Sequence, residues 1–221
     1  MSFGALFLVC FRFRYPKLSA SSAVIHNIMT LRDAGLASMA YFYFDFRDTD
    51  KQGRRNLLLS LLSQLSARSD LSCDLLYRVY QSHNNGTQKP TDDVLIQCLK
   101  EVLTSSNDHP IYIILDALDE CPNTFGMPSP RELVLGLMKE LVKLSLPHLH
   151  ICVTSRPEID IRTALEPLMP LQVSLHHETG QNKDIVEYVT SVVHSDMRMG
   201  KWREQDQKLI IETLSDRADG M

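Results

Sequence analysis

Apolar residues recur along this chain in two rhythms. Short continuous runs occupy Ala5 to Phe11, Met39 to Phe46, Ile111 to Leu115, His150 to Val153 and Leu171 to Leu175. Runs of this length without polar alternation predict strands buried on both faces. Between them the apolar positions fall at helical spacing. Ser21 to Ala34 places Val24, Ile25, Ile28 and Leu31 on one face and stops at Gly35. Arg54 to Arg68 carries a wide stripe of Leu57, Leu58, Leu61, Leu62 and Leu65. Leu71 to Ser82 predicts another helix, and a further one runs from Pro90-Thr91 to about Leu103. Ser129-Pro130 opens a helix with Leu133, Leu137, Leu141 and Leu144 in register, closed by Pro147. Asp184 to Val193 and Gln205 to Leu214 complete the set, while Asp48 to Gly53 and Asn84-Asn85-Gly86 read as loop and turn. Strands alternating with amphipathic helices predict an α/β protein whose parallel sheet has helices on both faces.

Composition narrows the function classes. The chain has 221 residues, 44% hydrophobic and 23% charged, with a net charge of -4. These are values of a folded globular chain, with no basic excess to suggest nucleic acid as a partner. The amino terminus, Met1-Ser-Phe-Gly-Ala-Leu-Phe-Leu-Val-Cys-Phe11, lacks the basic start of a signal peptide and is too short for a membrane helix; it reads as a buried strand. Five cysteines at 10, 73, 98, 121 and 152 show no zinc spacing. Dispersed and odd in number, they read as reduced thiols of an intracellular, cytoplasmic protein with no membrane partner.

Two runs carry candidate chemistry. In Ile111-Tyr-Ile-Ile-Leu-Asp-Ala-Leu-Asp-Glu120, an apolar strand delivers Asp116 at its carboxyl end, with Asp119 and Glu120 close behind. Ligands of open α/β sheets bind at that end, where such an acid can hold Mg²⁺ and a later one can polarise a water. Taken alone, the run fits equally a buried strand whose acids cap the next turn. In Ile151-Cys-Val-Thr-Ser-Arg-Pro-Glu158, a second strand ends at Arg156, and arginine suits phosphate because its planar fork donates two hydrogen bonds. Taken alone, this run fits a surface arginine before a proline as well.

Together, their order and spacing resemble the NACHT domain of STAND P-loop NTPases, most closely the nephrocystin 3-like N-terminal type of fungal NOD-like proteins. Ile113-Ile-Leu-Asp-Ala-Leu-Asp-Glu-Cys121 resembles that family's extended Walker B, and Val153-Thr-Ser-Arg-Pro-Glu158 its sensor strand end. Tyr41-Phe-Tyr-Phe-Asp45, with the leucine-rich helix that follows, resembles its second strand and helix, and Arg217-Ala-Asp-Gly-Met221 the helical segment beyond the core. The resemblance implies strand order 5-1-4-3-2 and the start of a helical lid. Residues 1–18 then form an atypical leading segment, 19–180 the nucleotide-binding core, and 181–221 the beginning of a truncated helical subdomain. It implies Asp116 as the metal-linked acid, Asp119 and Glu120 as water-activating or water-positioning acids, and Arg156 as the γ-phosphate sensor. It implies ATP or GTP with Mg²⁺ as ligand, and self-association through the module, with effector and repeat domains absent from this chain.

One departure changes the expectation. A Walker A loop, GxxxxGK[ST], needs glycines so that successive backbone N–H groups turn toward the phosphates. In its place stands Phe11-Arg-Phe-Arg-Tyr-Pro-Lys-Leu18, and no glycine occurs between Gly4 and Gly35. Pro16 removes a donor, and Leu18 stands where a Mg²⁺-binding hydroxyl belongs; Lys17, near the family's lysine, reads as coincidence. The expectation is a nucleotide-switch fragment that binds no nucleotide tightly, which leaves its enzyme status open. The alternative is a non-catalytic scaffold that keeps the fold, and a third reading is an incomplete gene product. Four buried strands should contain Phe42, Ile114, Val153 and Val173. Ala5 to Phe11 should fill the slot of the missing first strand, whose loss would leave unpaired backbone groups in the middle of the sheet.

Overall fold

Parallel neighbours need crossovers, so the place of each strand is set by the helix that returns the chain to the sheet. In the computed structural model, residues 6–11, 20–67, 69–105, 109–124, 126–168, 171–174, 179–196, 198–199 and 202–218 are described. Strands β1 (Leu6–Phe11), β2 (Ser38–Tyr43), β3 (Ile111–Asp116), β4 (Leu149–Ser155) and β5 (Leu171–Ser174) form one sheet in the order β2-β3-β4-β1-β5. Read from the other edge, this is the expected 5-1-4-3-2, with β1 in the slot between β4 and β5. β2 pairs parallel to β3, and β3 parallel to β4. Phe42, Ile114, Val153 and Val173 lie in four separate strands. Segment 12–19, with Tyr15, Pro16, Lys17 and Leu18, lies outside the described residues.

The pleat sorts side chains between two helical layers. Met39, Ile114 and Cys152 share one face, where Ile25 and Ile28 of α1 (Ala20–Asp33) complete a buried cluster. On the opposite face lie Ala40, Phe42, Ile113, Leu115, Ile151 and Val153, all buried. α2 (Arg54–Ser66) packs on β2 and also meets α4 (Asp92–Ser105) and α5 (Pro130–Lys143). Its Leu57, Leu58, Leu61, Leu62 and Leu65 are all buried, as the leucine stripe predicts. Each of these side chains contributes roughly 1.5–3 kcal/mol by leaving water. α3 (Asp70–Ser82) packs on α2 and α4 and starts at Ser69, whose hydroxyl accepts the Ser72 N–H.

Local chemistry sets the ends. α1 stops because Gly35 takes φ +73 and the Leu36 N–H returns to the Leu31 carbonyl at 2.9 Å, a left-handed close that glycine enters without cost. α5 opens with a reciprocal capping box between Ser129 and Glu132 and with Pro130 in its first turn. Two helical stripes differ from expectation. In α1, Leu31 is exposed, while Ile25 and Ile28 are buried in the cluster. In α5, the buried face is Val134, Leu135, Leu137, Met138 and Leu141, while Leu133 and Leu144 are half-buried. Flat against other helices, α5 buries a face wider than one leucine row. The short α6 (Ile159–Leu165), unanticipated, follows β4 and buries Ile161, Ala164 and Leu165.

β2 is an edge strand, and an uncovered edge invites pairing with another chain. Gln64 of α2 covers its centre: the Tyr41 N–H donates to Gln64 Oε1 at 3.1 Å, and Gln64 Nε2 donates to the Tyr41 carbonyl at 2.7 Å. The side-chain amide thereby makes the two bonds a neighbouring strand would make.

The chain divides into two compact units, 1–10 with 18–173, and 11–17 with 174–221. The first holds the sheet and α1 to α6. The second contains α7 (Thr179–Ser195) and α8 (Glu204–Ala218), which pack against each other. Among the described residues, no helix is long and apolar enough to cross a membrane.

Candidate functional site

The carboxyl ends of β3 and β4 are adjacent because the strands pair in register, Leu115 opposite Val153. Each apolar run therefore delivers its polar end to the same rim of the sheet. Asp116 is buried and accepts a hydrogen bond at Oδ1 from the Thr154 hydroxyl. The same hydroxyl oxygen accepts the Ala117 N–H at 3.0 Å. Ala117 holds φ 56 and ψ 47, left-handed geometry that costs an alanine roughly 1–2 kcal/mol. The bond to Thr154 helps offset this cost, and the turn sends the next residues back across the rim as a short 3-10 turn, Leu118–Glu120.

That turn aims its two acids differently. Asp119 reaches β4's end: its Oδ1 accepts the Arg156 N–H at 3.0 Å, and its Oδ2 lies 3.1 Å from Arg156 Nε. Its side chain is 9% exposed, against 47% for Arg156. Glu120 turns toward the loop after β2, where its Oε2 accepts the Phe46 N–H at 3.3 Å. Burial pushes the Glu120 carboxyl above its ordinary value; the Phe46 N–H lowers it, and the Asp119 and Asp45 charges raise it further. Asp116, Asp119 and Arg156 thus share one rim, with Glu120 within electrostatic reach of Asp119, Asp45 and Arg156.

The most heavily bonded residue here is one the sequence analysis did not single out. Arg131, in the first turn of α5, is buried with its side chain 6% exposed. Its Nε donates to the Cys121 carbonyl at 2.8 Å and its Nη2 to the Asp119 carbonyl at 2.6 Å. Its Nη1 donates to Glu158 and, at 3.2 Å, to Asp160 Oδ2. Burial alone would lower the Arg131 pKa, but the hydrogen bond and charge of Glu158, then those of Asp160, raise it overall. Four acceptors in a fixed fork hold the acid turn and the segment after β4 together. In sequence, Arg131 follows Ser129-Pro130 and reads as a helix start; nothing local marks it as buried. Thr154 sits inside the quoted Val153-to-Glu158 run, but only the pairing of β3 and β4 shows its hydroxyl meeting Asp116.

Cys121 closes the turn. It is fully buried, its Sγ lies 3.2 Å from the Gln52 carbonyl, and burial pushes its thiol up to about 12, with Arg131 opposing. Such a thiol stays protonated at neutral pH and is a poor nucleophile. Among the described residues, no three histidines, cysteines or acids converge closely enough to hold a metal by themselves.

The geometry matches known folds. The Aeropyrum pernix ORC1 protein, solved in complex with DNA, superposes with a TM-score of 0.51 at 12% identity, over 83% of this chain and 43% of that one. The Aeropyrum pernix ORC2 protein, solved in ADPNP–ADP complexes, gives 0.49 at 11% identity, over 96% and 51%. The chain thus spans about half or less of these proteins, and at 12% identity the likeness to ORC1 concerns the fold alone: an α/β fold, here with the strand order of a P-loop NTPase. No curated protein matches the chain in sequence. Residues 17–156, more than half of the chain, match the family described as Nephrocystin 3, N-terminal. Those residues include β2, β3, β4 and the whole Asp116-to-Arg156 rim, and the chain belongs to the nephrocystin 3 N-terminal family.

Proposed function

We propose that this chain is a NACHT-type nucleotide-switch core whose Walker B and sensor elements persist while its phosphate loop is missing. The observation that carries the reading is the shared rim: Asp116 bonded to Thr154, and Asp119 bonded to Arg156, at the ends of adjacent parallel strands. On this reading Asp116 is the metal-linked acid, Glu120 the acid that meets water, and Arg156 the group that faces a phosphoryl oxygen. Asp119 shares that rim. Its position there follows from its bonds to Arg156.

The residues fit a Mg²⁺–nucleotide only in part. Carboxylate oxygens suit a hard cation, but the described donors need phosphate oxygens to complete a coordination shell. The sequence lacks the GxxxxGK[ST] run whose amides would hold those phosphates, so no hydrolytic step follows from these residues. Phosphoryl transfer rests on positioning and electrostatics, and each lost hydrogen bond to a charged group is worth about 1.5–3 kcal/mol. Losing several moves a micromolar site toward millimolar or weaker, at about 1.4 kcal/mol per factor of ten.

Titration of a fluorescent ATP analogue with Mg²⁺, alongside phosphate release, tests this. The expected result is no saturable micromolar binding and no turnover. Saturable micromolar binding that Asp116→Ala abolishes overturns it. A second reading, a scaffold that keeps the fold without the chemistry, is favoured by one feature: Asp116, Asp119, Arg131 and Arg156 already satisfy one another or neighbouring groups of this chain. Self-association through the module is compatible with either reading.

A further inference from the structure

Asp119 and Glu120 are neighbours on one turn, yet their surroundings differ. Asp119 is nine-tenths buried, and its two oxygens face the same residue: one accepts the Arg156 backbone N–H, and the other forms an ion pair with the Arg156 side chain. The backbone bond fixes the carboxylate against the end of β4. The ion pair brings Asp119 Oδ2 to within 3.1 Å of Nε, the guanidinium nitrogen nearest the chain. Among the described residues, neither Nη1 nor Nη2 of Arg156 donates a hydrogen bond, and the side chain is 47% exposed. A guanidinium held at Nε keeps its outer Nη1–Nη2 edge free, and that edge donates two parallel bonds to a planar pair of oxygens. An unrestrained arginine loses much rotamer freedom when it takes up an anion, whereas one already oriented loses less.

We propose that Asp119 is a positioning residue that orients the Arg156 guanidinium through Nε, so that its outer edge meets a phosphate-like oxyanion. This deepens the reading above, since it rests on Arg156 being the phosphate-facing group of the rim. It reassigns Asp119: with both oxygens committed to Arg156, it does not activate water, and Glu120 is the acid left for that task. The Arg131 bond to the Asp119 carbonyl supports the same arrangement from below, keeping the turn from sliding away from β4.

The restraint has its own spectroscopic signature. In a ¹⁵N-labelled chain at low salt, the Arg156 Nε–Hε signal, assigned by its loss in Arg156→Gln, should be sharp and slow to exchange with water. In Asp119→Ala its exchange should rise severalfold, because the carboxylate 3.1 Å away, whose charge repels hydroxide from the Nε–Hε, is gone. Asp119→Asn, which keeps one acceptor oxygen, should lie between, and Glu120→Gln should leave the signal unchanged. A merely structural Asp119 would alter the fold and shift many amide signals, so unperturbed amides distant from the rim belong to the expected result. Pyrophosphate is then titrated into the wild-type chain. The Arg156 signal should shift while staying slow to exchange, because the anion takes the Nη edge and Asp119 keeps Nε. An Nε–Hε that exchanges equally fast in wild type and Asp119→Ala overturns the proposal. So does an Nε–Hε that pyrophosphate releases from Asp119. If pyrophosphate leaves Arg156 unmoved although Asp119→Ala frees its Nε, the phosphate-facing reading of Arg156 fails and the positioning proposal falls with it. The two failures are therefore separable.

Discussion

At the scale of single residues, charges are placed by what surrounds them and not by their spacing in sequence. Glu120 follows Asp119 directly, but burial raises the Glu120 carboxyl while Asp119 has a cation beside it. A carboxyl whose folded value lies above its ordinary 4.5 holds its proton longer in the native state than in the unfolded chain. Stability therefore falls as pH rises through that window, and ionised Glu120 is a cost to the fold at neutral pH. Glu120→Gln keeps an acceptor for the Phe46 N–H and removes the cost. It should raise the urea midpoint at pH 7, and the gain should shrink to nothing as pH drops below 4.5, where both forms are neutral. A gain that persists unchanged at low pH would show that the charge is not its source. Arg131 presents the opposite case. Arg131→Ala strips donors from the Asp119 and Cys121 carbonyls and leaves Glu158 and Asp160 without their cation. Breaking a buried ion pair from one side typically costs about 3–5 kcal/mol. Glu158 and Asp160 are partly exposed, at 42% and 32%, which places the expected loss near the lower end, about 3 kcal/mol by urea denaturation. A loss below about 1 kcal/mol, the scale of an exposed pair, would mean that water replaces these bonds easily.

At the scale of elements, the sheet edge shows how a helix can finish a strand. β2 offers the Tyr41 backbone N–H and carbonyl outward, and Gln64 answers both. Two net hydrogen bonds are worth about 1–3 kcal/mol together, and an unanswered edge is also a pairing site for a second chain. Gln64→Leu, similar in size and equally suited to α2, should lower stability by about that amount and raise concentration-dependent self-association in sedimentation velocity. An unchanged urea midpoint together with a monodisperse profile would show that solvent serves the edge as well as Gln64 does. The leucine stripe of α2 was legible in sequence because helical periodicity is a local signal, and its five leucines are the five that are buried. The wider face of α5, including Met138, was not legible, because its width depends on how many neighbours surround the helix. α6 escaped notice for a related reason: seven residues are too few to show a period.

At the scale of the whole molecule, strand order and ligand capacity are separate questions. The order β2-β3-β4-β1-β5 is the order of a P-loop NTPase, complete with a strand in the first slot. On the reading proposed above, the fold does not depend on the glycine loop that gives such proteins their phosphate site, since buried apolar strands hold the sheet together. Ligand linkage gives a measure independent of fluorescence. A ligand present at 100 times its Kd stabilises a protein by about 2.7 kcal/mol, a rise of several degrees in melting temperature. Millimolar ATP with Mg²⁺ should leave the melting temperature of this chain unmoved within about one degree. A rise of several degrees that Asp116→Ala removes would mean that another backbone segment has replaced the phosphate loop.

The amino-acid sequence by itself determined the alternation of strands and helices and most element boundaries, because periodicity, caps and chain breakers act over a few residues. It also determined that Asp116 and Arg156 end two apolar runs, and that no glycine loop precedes α1. Tertiary structure alone decided which groups meet. Thr154 reaches Asp116 because β3 and β4 pair in register, and Asp119 but not Glu120 binds Arg156 because Ala117 turns the chain left-handed. Arg131 is buried because α5 lies against that turn, whose Cys121 and Asp119 are 10 and 12 residues away in sequence, and it is joined to Glu158 across a strand. Such contacts depend on distances between segments far apart along the chain, and no local pattern of residue types encodes those distances.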